Sequence, residues 1–142
     1  MGIGLTDLLG AWRLVGWSLV YADGRPPEYP LGQDAVGFLM YTPDAHVSAT
    51  LMRKARPPQA PASAADAATA YADSFAYAGR FAVRDDSVFH TIEVATNPAL
   101  VGVTSTRNIE LAGDILALSG PDFGAGGPRS QRIVWRRGDT AA

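Results

Sequence analysis

The sequence predicts an all-β fold, an eight-stranded up-and-down antiparallel barrel with one helix between the third and fourth strands near the open end. Three observations lead there. Apolar residues recur at every second position in short stretches set off by Gly, Pro, Asn and Asp, the spacing of half-buried strands. A single Ala-rich stretch carries helical spacing instead. The connections alternate in length, long after the odd strands and short after the even ones. In an up-and-down sheet, alternate connections lie at opposite ends. The long ones therefore share one rim with the helix, and the tight turns close the other. Eight strands enclose room for one small ligand. The expected shape is a cup with a closed floor. No repeat or composition shift marks a boundary, so residues 1–142 read as one domain with its core from about 10 to 137.

Each element has a local reason. The first strand, Gly10 to Tyr21, is apolar on both faces, and Gly16 within it marks a bend. Asp23-Gly24 and the prolines Pro26, Pro27 and Pro30 make a long loop. The second strand runs from about Ala35 to Tyr41. Thr42-Pro43-Asp44-Ala45 is a tight turn, with proline where a type I turn favours it. The third strand is His46 to Met52. The Pro-rich connection from Arg53 to Pro61 is neither strand nor helix throughout. Ser63 then caps a helix, with Asp66 in its first turn. Ala64, Ala67, Ala68, Tyr71, Phe75 and Ala78 form its stripe, and Gly79 stops it. The fourth strand is about Arg80 to Val83, and Asp85-Asp86 turn it into the fifth, Ser87 to Ala95. After Asn97-Pro98 come a sixth strand, about Thr104 to Leu111, the Gly113-Asp114 turn, and a seventh, Ile115 to Ser119. Gly120 to Pro128 is a glycine-rich loop, and about Ser130 to Arg137 is the last strand.

Composition narrows the function. An apolar fraction of 47% and a mean hydropathy near zero fit a globular chain. A net charge of −2 gives no electrostatic case for nucleic acid or an anionic membrane. Without cysteine there is no disulfide, thiolate zinc site or cysteine nucleophile. His46 and His90 are the only histidines, so no multi-histidine metal site is expected. The N-terminus lacks the pattern of a secretory signal, and no apolar run approaches membrane-spanning length. A cytoplasmic protein is the expectation. Met1-Gly2-Ile3-Gly4-Leu5-Thr6 formally fits a myristoylation pattern, but reads more simply as a loose lead-in to the first strand.

In the fifth strand Val88, His90, Ile92 and Val94 share the apolar side, opposite Thr91 and Glu93, with Phe89 the one large apolar residue on the polar side. In the sixth, Arg107, Ile109 and Leu111 lie opposite Asn108 and Glu110. Neighbouring strands thus each turn one basic side chain inward. His90 is suited to general acid–base work near neutral pH, or is a core histidine bonded to a backbone group or hydroxyl. A buried Arg107 needs an anionic or strongly polar partner. That partner is a loop acid such as Asp122, or a ligand carboxylate, enolate or carbonyl; a register error would instead leave Arg107 on the surface. Phe38, Met40, Phe81, Ile92 and Ile109 are the expected wall. Ser48, Thr50 and Met52 share one face of the third strand and line the cavity, unless Val47, Ala49 and Leu51 face inward instead. Tyr71 and Phe75 dock the helix, and Tyr77, off that stripe, points its hydroxyl into the pocket. Arg53, Lys54 and Arg56 read as a solvated loop, and His46 as exposed at the closed end. Gly124-Ala125-Gly126-Gly127 is no phosphate loop, because no helix follows it.

Gly10-Ala11-Trp12 matches the Gly-x-Trp of lipocalins, and Trp135-Arg136 resembles their final-strand basic residue, which packs across that tryptophan. Val36 to Thr42, Tyr77-Ala78-Gly79-Arg80-Phe81, and His90 with Glu93 look like recurring segments of the lipocalin-like family. From about Gly10 to Arg137 the chain resembles that family of small calycin-type barrels. It departs from secreted lipocalins in lacking a signal peptide and cysteines, and in carrying its helix mid-chain. The resemblance implies a ligand carrier, a barrel of no known activity, or a cofactor-free cyclase or isomerase of secondary metabolism, and the fold alone does not choose among them. Three functions are then open. One is a cup for a small hydrophobic metabolite with an oxygenated end. The second is a cofactor-independent cyclase or isomerase of a polyketide-like substrate, with Arg107 stabilising charge on a carbonyl oxygen and His90 moving a proton. The third is an interaction protein using the outer faces of Trp17 and Tyr21. The expected partner is a small hydrophobic metabolite, with neither nucleic acid nor membrane; a homodimer stays open.

Overall fold

The computed structural model describes residues 2–122 and 129–138. Its strands are β1 Gly10–Tyr21, β2 Val36–Tyr41, β3 His46–Met52, β4 Ser74–Arg84, β5 Ser87–Ala95, β6 Thr104–Ala112, β7 Ile115–Asp122 and β8 Arg129–Arg137. They form a closed antiparallel barrel in sequence order, and β8 pairs back onto β1 from Trp12↔Arg137 to Tyr21↔Arg129. Closure leaves no sheet edge to protect. Helix α1, Leu5–Leu8, precedes β1, and helix α2, Ala64–Ala72, lies between β3 and β4. No helix among the described residues is long and apolar enough to cross a membrane.

The loop alternation has the predicted consequence. The tight turns after β2, β4 and β6 lie at one end, and the long connections after β1, β3 and β5 at the other. Asp85 and Asp86 both take positive φ, which lets a two-residue turn follow the strand twist. Gly120 to Asp122 extend β7; residues 123–128, with Gly124-Ala125-Gly126-Gly127, lie outside the described residues.

In β1 the pairing with β8 shifts between Leu14 and Gly16. That irregularity adds a residue to one strand. It explains an apolar pattern that had no single face: Trp12 lies inward before the shift, and Trp17, Leu19 and Tyr21 lie inward after it. Trp12 is fully buried at the floor, donating from Nε1 to the Leu8 carbonyl at 2.8 Å. The guanidinium of Arg137 lies 4.1 Å over its ring and donates to the carbonyls of Leu9 and Asp7. The basic partner of that tryptophan is therefore Arg137, not Arg136, because β8 turns Trp135 and Arg137 inward and Arg136 out. The N-terminal segment is no loose lead-in either. The Asp86 carboxylate accepts from the Ile3 amide at 2.8 Å, and Leu8 is fully buried beneath the barrel.

Helix α2 begins as predicted, with the Asp66 amide donating to the Ser63 hydroxyl at 3.1 Å. It ends at Ala72 rather than at Gly79. Residues from Ser74 onward pair with β3 instead, so Phe75, Tyr77 and Ala78 belong to β4. Phe75-Ala76-Tyr77-Ala78 alternates large and small with period two, and the ladder bonds to β3 prevail over helix propensity. Gly79 serves β4, not a helix terminus. The pairing with β5 shifts there, and a Cβ would collide with the Thr91 carbonyl oxygen. Tyr71 is exposed rather than buried as a docking stripe, and α2 has no buried residue. The helix is tied down by its flanks: Arg53 pairs with Asp73 at 3.2 Å, and Arg56 donates to the Ala70 carbonyl. Both basic residues thus work as ties rather than as a solvated loop.

Candidate functional site

A cavity of about 830 Å³ lies inside the barrel, between the packed floor and the long-loop rim. Drug-sized ligands occupy sites of roughly 300–1,000 Å³. Trp17, Leu39, Leu51, Phe75, Leu118 and Ile133 give it an apolar wall. Trp17 and Phe75 meet edge to face at 5.2 Å, and Phe75 stacks parallel to Tyr77 at 6.4 Å. Polar groups come from Tyr77, His90, Arg107, Asn108 and Gln131, and no carboxylate lines the cavity among the described residues. Trp135, on the same lining, has a buried Nε1 without a hydrogen-bond partner among those residues. No group of three His, Asp or Glu able to hold a metal occurs among them.

His90 is 2% exposed on the inner face of β5. Both ring nitrogens are engaged. The Tyr41 hydroxyl lies 2.7 Å from Nε2 and the Tyr77 hydroxyl 2.8 Å from Nδ1. Burial, helped by the Arg107 charge, pushes its pKa down to about 3. The imidazole is therefore neutral at physiological pH. Burial also raises Tyr77 to about 12, with Arg107 opposing the rise, and holds Tyr41 well above the ordinary phenol value. All three groups thus carry their neutral forms. With both nitrogens bonded to tyrosine hydroxyls, His90 presents no unengaged ring nitrogen to the cavity.

Arg107 lines the cavity from the inner face of β6. Its Nη1 donates to the Thr106 carbonyl at 2.9 Å, and its stem lies over Gly120, where a Cβ would come within 3.3 Å of Cδ. Asp122 closes β7, and its side chain lies outside the described residues. Ile92 lines the cavity beside His90. Phe81 and Ile109 are buried but pack below it in the floor, Phe81 against Tyr41 at 4.5 Å.

The wall from β2 is the opposite of the one expected, and on β3 the alternative with Val47, Ala49 and Leu51 inward holds. Phe38, Met40, Ser48, Thr50 and Met52 face outward and do not line the cavity. Leu39 with Tyr41, and Val47, Ala49 and Leu51, face in. The register pairs Leu39 with Ala49 inside and Phe38 with Thr50 outside. In a strand apolar on both faces, a one-residue shift exchanges the whole set. The exposed face has its own supports: the Arg13 guanidinium lies 4.8 Å over Phe38, as Arg84 lies 4.6 Å over Phe89. Val94 is 62% exposed, because the register shift opposite Gly79 inserts Glu93 into the ladder and turns Val94 to the outer face beside Ala78. Trp17 lines the cavity and Tyr21 is buried, so neither offers an outer interaction face. Tyr41, Trp17, Phe75 and Trp135 were not foreseen at the site. For Tyr41 a signal existed: polar alternation in β3 puts its Ser and Thr outside, and pairing then turns Tyr41 in.

A sealed-floor antiparallel barrel around a largely apolar cavity has the architecture of a β-barrel with room for one small ligand. The chain belongs to the lipocalin-like domain family, whose model matches residues 9–138. Comparison with curated proteins and with solved structures returns no match.

Proposed function

We propose that this barrel binds one small, largely apolar metabolite whose oxygenated end docks against Arg107 and Tyr77. The supporting observation is the make-up of the cavity: an aromatic and aliphatic wall, one guanidinium, hydroxyl and amide groups, and no described carboxylate. Such a lining favours an apolar body and a carbonyl, enolate or carboxylate oxygen. The test is titration with 1-anilinonaphthalene-8-sulfonate, an apolar fluorophore with an anionic end. Wild-type protein should bind it in competition with apolar carboxylates, and Arg107→Ala should weaken binding by about tenfold or more. No binding to the wild type, or equal binding by the variant, contradicts the reading.

A second reading, cofactor-independent cyclase or isomerase chemistry, is favoured by one observation: the Tyr41–His90–Tyr77 chain ends beside a cation. In this reading Nδ1 is the bare nitrogen: Arg107 would stabilise negative charge on a carbonyl oxygen as the neighbouring carbon passes its proton to the Tyr77 oxygen and the Tyr77 proton passes to His90. The walls would hold a flexible polyketide-like substrate in reactive shape. Deuterium uptake at the carbon next to a bound ketone, above the uncatalysed rate, supports this reading. It should fall in His90→Ala and Arg107→Ala; exchange at wild-type rate in both removes the assignment and leaves a carrier.

A further inference from the structure

Tyr41 and Tyr77 flank His90 on its two ring nitrogens. A neutral imidazole has one N–H and one bare nitrogen, so one tyrosine must donate to it and the other accept from it. The tyrosines are not equivalent. Tyr41 is buried, does not line the cavity, and has His90 as its hydrogen-bond partner among the described residues. Were it to accept from Nε2–H, its own proton would be buried without an acceptor, a costly arrangement in an apolar interior. Tyr77 lines the cavity and has a second direction in which to donate.

We infer that Tyr41 donates to Nε2 and holds His90 as the Nδ1–H tautomer, whose N–H donates to Tyr77 and so commits the Tyr77 hydroxyl to donate into the cavity. Tyr41 is then a positioning residue acting through two others. The inference rests on the small-ligand reading and sharpens it. With Arg107 on the same lining, this part of the cup offers donors, and the ligand atom read there is an acceptor. A ketone, enolate or carboxylate oxygen fits; an alcohol, which also brings a proton, fits less well. The neutral state that burial imposes on all three groups keeps the chain in one arrangement.

Long-range ¹⁵N–¹H spectra of histidine-labelled full-length protein test it, with His46→Gln used to assign the two histidines. At pH 7 the expected signature for His90 is a pyrrole-type Nδ1 and a bare Nε2. Tyr77→Phe should leave that tautomer in place, because Tyr41 still donates. Tyr41→Phe should let the Nε2–H form grow in. An Nε2–H tautomer in the wild type overturns the inference, and that measurement does not depend on either variant folding. A shift in Tyr77→Phe with none in Tyr41→Phe also overturns it. For the ligand, 9-fluorenone and 9-fluorenol differ only in carbonyl against alcohol. Wild-type protein should prefer the ketone by roughly three- to tenfold. Tyr77→Phe should abolish that preference and Tyr41→Phe reduce it. Binding of neither compound with the stated tautomer confirms the proton arrangement and overturns the small-ligand reading.

Discussion

At the floor, Trp12 and Leu8 are fully buried, Arg137 covers the Trp12 ring, and three carbonyls near α1 are bonded by Trp12 and Arg137. At the mouth, α2 buries no residue, and Val94, Val101 and Val103 stand exposed. Both ends are crossed by the same eight strands. The difference lies in what the connections add: tight turns leave room for a short helix to close the floor, whereas long loops hold the other rim apart. Burial is concentrated where the connections are short, and access is left where they are long. That division suits a cup, since loops that carry little of the folding energy are free to open.

The sharpest way to break the comparison is to remove the plug. Trp12→Ala should cost about 3–5 kcal/mol in urea unfolding, from a cavity left beneath Arg137 and α1. A loss no larger than that of Tyr71→Ala at the mouth would show that the floor is not the stable end. Acid addresses the boundary between the halves, where His90 meets Tyr41. The unfolded histidine takes up a proton near 6.5 and the folded one only near 3. Between those values the unfolded chain holds the extra proton, so this contribution is complete above pH 6.5 and is lost as pH falls. From pH 7 to 5 the wild type should lose about 2 kcal/mol more than His90→Gln. Equal losses in the two proteins would show that His90 is not sequestered. The smallest effect is expected at the mouth. Ser63→Ala removes the cap on the Asp66 amide. It should lower helical signal in circular dichroism, yet change global stability by less than about 0.5 kcal/mol, since α2 packs no side chain into the core. A larger loss would mean that the mouth shares the cooperativity of the floor.

Much of the frame was legible before any coordinates. Loop lengths alternate whatever the strands bury, so barrel order and the placement of the long rim followed from spacing alone. His90, Ile92 and Arg107 were placed by the plain alternation of β5 and β6, whereas Tyr77 was aimed at the cavity from a helix that the structure replaces with β4. Phe38, Met40 and Met52 failed for a local reason. β2 offers apolar residues to both sides, and on β3 Met52 shares its face with Ser48 and Thr50, whose hydroxyls were read as cavity-lining groups. The helix ran too long in expectation because an Ala-rich stretch with two aromatics satisfies helical and strand periods together.

By itself, then, the order of amino acids determined the number and order of the strands, which connections are long, and that His90 and Arg107 lie on the apolar faces of β5 and β6. Only the tertiary structure decided which face of β2 and β3 turns in, where α2 stops, and that Tyr41 completes the hydrogen bonding of His90. The reason is physical: periodicity is a property of one strand, whereas register and hydrogen-bond partners are properties of two strands brought together from distant parts of the chain.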